Sequence, residues 1–126
     1  MATEFEIVPE QALIHMRMSE VLTNQEAFEL QTAIRQHPDF SAGYSELVDI
    51  RDVTRNEVTG DAMVQMARES ANEDGTKRAI IVSNDTDYGL SKLFRLLAQH
   101  NPEVTEIFWN MKDAREWLGL PPEAGE

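Results

Sequence analysis

The sequence predicts an α/β fold: a five-stranded mixed sheet in the order β-β-α-β-α-β-α-β-α, with strands two to five parallel and the first antiparallel at an edge. Three observations carry that expectation. Residues 45–54 and 79–83 hold Leu47, Val48 and Ile50, then Ile80, Ile81 and Val82, with apolar side chains facing both ways. Strands buried on both faces belong to parallel sheets clothed by helices. The segments after them place Ala62, Met63, Met66 and Ala67, then Leu90, Leu93, Phe94, Leu97 and Ala98, at the spacing of one helix face.

Each element has a local cause. Phe5 and Ile7 alternate with Glu4 and Glu6, a strand with one wet face. Pro9-Glu10 supplies a turn, and Ala12, Ile14, Met16 and Met18 share one face of the second strand, opposite Leu13, His15 and Arg17. Thr23-Asn-Gln-Glu26 is a capping box for helix one, which carries Ala27, Leu30 and Ile34 inward and stops at His37-Pro38. The organising strand at 45–54 ends in a polar turn. Helix two is capped by Thr59, carries Ala62, Met63, Met66, Ala67 and Ser70 inward, and is closed by Gly75. Asp87 or Thr86 caps helix three, which ends at Asn101-Pro102. The fifth strand covers 104–109. Asn110-Met-Lys-Asp113 opens helix four, which buries Ala114, Trp117 and Leu118 and ends at Gly119 ahead of Pro121-Pro122. The last residues, 123–126, are expected to fray. Each strand–helix–strand unit should cross over right-handed. If that puts the first three helices on one face, helix four or a second subunit must cover the other, so a homodimer is among the expectations.

Composition narrows the function classes. At 126 residues the chain makes one domain, 1–126, with enough length for a real core. Twenty-three acidic against 11 basic residues give a net charge of -12, a field that repels nucleic-acid backbones and anionic membrane surfaces. With no cysteine, thiolate catalysis, disulfides and Cys-ligated zinc are excluded. No basic leader opens the chain and no apolar run approaches the ~20 residues that span a bilayer. A cytoplasmic location without membrane insertion is therefore expected.

Enzyme and cofactor signatures fail individually. There is no Gly-x-Ser-x-Gly elbow, Walker loop or Gly-x-Gly-x-x-Gly, so no cofactor is expected. His15, His37 and His100 fall on separate elements, without metal-ligand spacing. Asp85-Thr-Asp87 begins like a calcium loop, but Gly89, Leu90 and Leu96 stand where a ligand, a glycine and a glutamate are needed. No metal site is expected. Asp49, inside an apolar strand, needs a partner. Either it pairs with Arg51, or it forms a polar floor for a ligand or partner site. Met63, Met66, Trp109 and Trp117 read as core.

Four stretches together resemble a known family. They are Leu47-Val-Asp-Ile-Arg-Asp-Val-Thr54, Lys77-Arg-Ala-Ile-Ile-Val-Ser83, Tyr88-Gly-Leu-Ser-Lys-Leu-Phe94 and Ile107-Phe-Trp-Asn-Met-Lys-Asp-Ala-Arg-Glu-Trp-Leu-Gly119. In order and spacing they are similar to the SpoIIAA-like (STAS/SEC14-type) proteins, relatives of the anti-sigma-factor antagonist domains. The resemblance implies a SpoIIAA-like fold and a non-catalytic regulatory or binding role. In the antagonist branch an Asp-Ser-Ser-Gly turn opens the second helix, and its first Ser is phosphorylated. Here Glu57-Val-Thr-Gly60 aligns with that turn, so Val58 takes the acceptor position and only Thr59 offers a hydroxyl. Two sites follow as expectations. An unidentified protein partner would dock before helix two on Arg51, Asp52, Thr54, Glu57, Thr59, Gly60 and Asp61. Alternatively a small apolar ligand would sit between helices two and three and the sheet, against Met63, Met66, Leu90, Leu93 and Phe94, with Asp49 as its polar floor. A small enzyme using Asp49 or Asp52 as acid or base is the third reading.

Overall fold

The computed structural model describes residues 3–70 and 72–123. Its strands are β1 (Thr3–Val8), β2 (Leu13–Leu22), β3 (Ser45–Asn56), β4 (Lys77–Ile81) and β5 (Val104–Phe108). They form one sheet in chain order, with β1 antiparallel to β2 and every later pair parallel. Helices α1 (Asn24–Gln36), α2 (Gly60–Arg68), α3 (Asp85–Leu97) and α4 (Met111–Leu118) fill the connections and the C-terminal end. The predicted order and mixed sheet are those observed.

Alternation along the strands sorts the core into two faces. On one, Ile14 and Met16 of β2 pack with Leu30 and Ile34 of α1, and Ile50, Ile80 and Val82 pack with Tyr88 and Phe94 of α3. On the other, Leu13, Leu47, Ala79 and Ile81 meet Met111 and Ala114 of α4. Within one chain, α4 covers the face for which a second subunit was the alternative.

Local rules explain most element ends. The Thr23, Thr59, Asn84 and Asn110 side chains each accept from the backbone N–H three residues on. Gly119 closes α4 at φ +76°, where a Cβ would be strained. Several expectations need correction. Ala12 precedes β2 in the left-handed region (φ 51°), ending a 3-10 turn at Pro9–Gln11. Helix α2 stops at Arg68, so Ser70 lies beyond it and Gly75 belongs to the turn before β4. Asn72, Glu73 and Asp74 offer no apolar anchor to prolong the helix. Asn84, not Thr86 or Asp87, caps α3, and Asp87 is buried, accepting from the amide groups of Asn84 (2.9 Å) and Asn56 (3.3 Å). Those bonds turn the helix so that Asp87 and Ser91 face inward while Leu93 and Leu96 are exposed. Trp109, expected in the core, is 49% exposed and stacks on Tyr88 with ring centroids 5.1 Å apart. Of the tail expected to fray, 123–126, residues 124–126 lie outside the described residues.

The largest difference is β3. The strand expected at 45–54 continues to Asn56, past the point where the polar turn was expected. Pairing with β2 shifts between Arg17↔Asp49 and Ser19↔Asp52, and again between Glu20↔Val53 and Val21↔Arg55. Each shift gives β3 one extra residue. A regular strand would put Ile50 and Val53 on opposite faces, yet both are buried in the same cluster. The first bulge, between Asp49 and Asp52, reconciles the two.

Leu47, with no exposed surface, lies under α4. Leu47→Ala should lower unfolding stability by about 2–5 kcal/mol, read from urea midpoints at unchanged slope.

Candidate functional site

Helices α1 and α2 are tied at their N-terminal ends. The Asn24 side-chain oxygen accepts from the Thr59 N–H at 2.9 Å, and its amide donates to the Thr59 hydroxyl at 3.1 Å. The same hydroxyl accepts from Ala62 N–H at 3.2 Å, so one threonine caps α2 and anchors it to α1.

A cavity of about 190 Å³ lies behind this tie. Met16, Met18, Val48, Ile50 and Ile80 form its floor on the sheet. Ala27, Leu30 and Ile34 of α1 make one wall, Met63 and Met66 of α2 another, and Leu90, Ser91 and Phe94 of α3 a third. Leu22, Asn56 and Val58 stand at the C-terminal ends of the strands, and Phe40, Glu46 and Arg78 at the other end. Half-buried Gln31 and Arg35 bring it to the surface along α1. An apolar cavity of about 150 Å³ is enough to hold benzene.

The sequence-derived pocket residues divide. Met63, Met66, Leu90 and Phe94 line the cavity. Leu93 does not: it is 39% exposed on the outer side of α3. Asp49 is not its floor, because its side chain accepts from Arg51 Nε at 3.0 Å and Nη2 at 2.8 Å, on the strand positions that alternate with Val48 and Ile50. Sequence reading missed the α1 wall and the polar end of the cavity. Strand parity held the clue, since Glu46 keeps step with Val48 and Ile50, and Arg78 with Ile80 and Val82.

That polar end is built around Arg78. It pairs in register with Glu46 across β3 and β4, and its Nε donates to Glu46 at 2.7 Å. Nη1 donates to Glu103 Oε1 at 3.2 Å and Thr105 Oγ1 at 3.4 Å, and the guanidinium carbon lies 5.1 Å from the Phe94 ring centroid. Glu103 Oε1 also accepts from Ser70 and Asn101, while its Oε2 is buried with no hydrogen-bond partner among the described residues. Burial pulls the Arg78 pKa down, but Glu46 and Glu103 more than offset it and hold the guanidinium charged. Burial likewise raises Glu103, yet its own backbone N–H, Arg78, Asn101 and Ser70 together keep its pKa low.

The α4 face carries a second polar group, His15, Arg17, Asp49 and Arg51. His15 is buried and Arg17 Nη2 lies 3.3 Å from its Nδ1. Burial and then Arg17 lower its pKa, outweighing Asp49, Glu123 and Glu6. For Asp49, burial acts upward but the Arg51 side-chain and backbone hydrogen bonds prevail, so its pKa is lowered. Within this group Arg51 pairs with Asp49, Arg17 pairs outward with Glu4, and His15 contacts Arg17. Among the described residues, no three His, Cys, Asp or Glu could together hold a metal ion, and no helix is long and apolar enough to cross a membrane.

The residues expected to dock a partner are only partly a loop. Arg51, Asp52 and Thr54 are strand, and Arg51 is committed to Asp49. Glu57 pairs with Arg55, and Thr59, Gly60 and Asp61 are exposed at the start of α2. Asn56 and Val58, set among them, line the cavity.

Removing Arg78 strands buried carboxylates. Arg78→Leu should cost about 3–5 kcal/mol, and adding Glu46→Gln and Glu103→Gln should restore much of it, as read by urea unfolding. His15 gives a pH signature. Its folded pKa is depressed, so the unfolded chain takes the proton first. Its contribution is complete above about pH 6.5 and declines as pH falls below it. Asp49 and Glu103, also depressed, add a second decline below about pH 4. Unfolding free energy should fall between pH 7.5 and 5.5, and His15→Phe should flatten that slope while leaving the acid decline.

No protein-family model and no curated protein matches the chain. Among solved structures, it is similar to an uncharacterized protein of the DUF3478 family from Shewanella loihica PV-4, described as having a SpoIIAA-like fold. The match has a TM-score of 0.59 at 15% identity and covers 93% of this chain and 94% of the other. The sheet order, the single antiparallel edge and the four helices agree with that likeness, and the chain has a SpoIIAA-like fold.

Proposed function

We propose that this chain is a non-catalytic binding module whose ligand is a small, mainly apolar molecule held between α1, α2, α3 and the sheet. The observation that carries this reading is the cavity of about 190 Å³, lined by methionine, leucine, isoleucine and phenylalanine and reaching the surface beside Gln31 and Arg35. Native interiors keep few voids larger than a water molecule. Apolar walls left facing water forgo burial that a ligand filling the space would supply. Methionine-rich walls adapt to varied apolar shapes. Ala27→Phe, projecting from α1 into the void, tests this. Native mass spectrometry of the wild type should show a bound small molecule, or benzene should raise its thermal midpoint, and the variant should lose either effect. A ligand-free mass together with a benzene-insensitive midpoint in the wild type would sink the reading.

A second reading is a protein partner at the segment running from Asp52 to Asp61. It is favoured by the exposure of Asp52, Thr54, Glu57, Thr59, Gly60 and Asp61 beside the cavity-lining Asn56 and Val58. Its acidic residues select a basic partner surface. Glu57→Lys with Asp61→Lys should weaken capture of such a partner at least tenfold without moving the thermal midpoint; undiminished capture would count against the segment.

A further inference from the structure

Two polar groups of cavity-lining residues have no hydrogen-bond partner among the described residues. Arg78 has only 10% of its side chain exposed, and it uses Nε and Nη1 on Glu46, Glu103 and Thr105. Its Nη2 group donates to no described residue. Ser91 is 5% exposed, lines the same cavity, and its hydroxyl bonds to no described residue. It lies one helical turn before Phe94, whose ring faces the Arg78 guanidinium at 5.1 Å. Neither atom is sealed off from the cavity, so a ligand oxygen entering it can take the place of water on both.

The charge of that oxygen is fixed by what surrounds the arginine. One guanidinium is already flanked by two carboxylates, Glu46 at 2.7 Å and Glu103 at 3.2 Å. Glu103 is held ionised by its donors, and its Oε2 remains uncompensated. An incoming carboxylate would meet two carboxylates against one largely buried guanidinium; Arg35, also in the cavity lining, is only half-buried, where water screens its charge. A cationic head would gain from those carboxylates but has no acceptor lone pair for Nη2.

Building on the cavity reading above, we propose that the ligand is a short, uncharged apolar molecule bearing one carbonyl or hydroxyl oxygen, which accepts from Arg78 Nη2 and meets the Ser91 hydroxyl, and that carboxylates of the same length are excluded.

The test is a matched six-carbon series, 2-hexanone, 1-hexanol, hexane, hexanoate and hexylamine, titrated calorimetrically into the wild type, Ser91→Ala and Ala27→Phe at pH 7.5. Ser91→Ala is used because Arg78 variants risk unfolding. The expected result is that 2-hexanone and 1-hexanol bind the wild type at least tenfold more tightly than hexane, hexanoate or hexylamine. Ser91→Ala should weaken the two oxygen-bearing ligands several-fold and leave hexane unchanged, and Ala27→Phe should bind none. If hexane or either charged ligand binds as tightly as 2-hexanone, or Ser91→Ala changes nothing, the head-group assignment is overturned while the cavity reading stands. If no member binds the wild type, both fall.

Discussion

The guanidinium of Arg78 joins more of this molecule than any other described side chain. It reaches β3 through Glu46, the approach to β5 through Glu103 and Thr105, and α3 through the face of Phe94. Through Glu103 it also meets Ser70 just beyond α2 and Asn101, whose amide also holds the Ala67 carbonyl. Burying such an ion is unfavourable unless its donors are met, and replacing the network with well-packed apolar residues is often neutral for stability. Its distinctive contribution is to register. Glu46 and Arg78 are paired neighbours, and slipping β4 by one residue would move the guanidinium to the face that holds Leu47, Ala79 and Ile81. Apolar pairs such as Val48 and Ile80 tolerate that slip far better than a charged pair does.

The same constraint shapes the cavity. Arg78 occupies one end of the space beneath α1, α2 and α3, and the bulged end of β3 occupies the other. Ala27 and Ser91, two small side chains on facing helices, leave the middle unfilled. The Asn24–Thr59 tie fixes the helix N-termini while the cavity reaches the surface farther along α1, at Gln31 and Arg35. A larger residue at either small position would convert the site into ordinary core. The cavity therefore depends on where small residues fall as much as on any apolar one.

Much of this was legible in the chain itself, because it follows from local rules. Strands apolar on both faces, caps at Thr23, Thr59 and Asn110, and a left-handed glycine at 119 are properties of a few neighbouring residues. The bulges of β3 were not legible, since their cause is the burial of Val53 beside Ile50, a tertiary fact. Leu93 was misplaced for a similar reason: its apolar spacing was real, but Asp87, bonded to Asn56 from β3, sets the rotation of α3. Asp49 drew notice as a charge within an apolar strand, and of its two readings the ion pair with Arg51 is present. Glu46, three residues before Asp49 on β3, and Arg78, its neighbour on β4, are likewise charges within apolar strands, and parity alone would have placed both on the face of Val48, Ile50, Ile80 and Val82.

The two proposed sites share residues, and that has thermodynamic force. Asn56 and Val58 line the cavity, yet the chain between and just after them carries the exposed Glu57 and Thr59. The Asn56 side chain also accepts from Val58 N–H at 3.1 Å and donates to buried Asp87 at the start of α3. Filling the cavity and gripping the segment from outside therefore act on one hydrogen-bonded turn. Any difference in that turn between the filled and empty states alters partner affinity, and by linkage the partner alters ligand affinity by the same factor. A binding module and a regulatory surface are thus not rival descriptions of this chain: the residues that would sense the ligand are already part of the segment that a partner would touch.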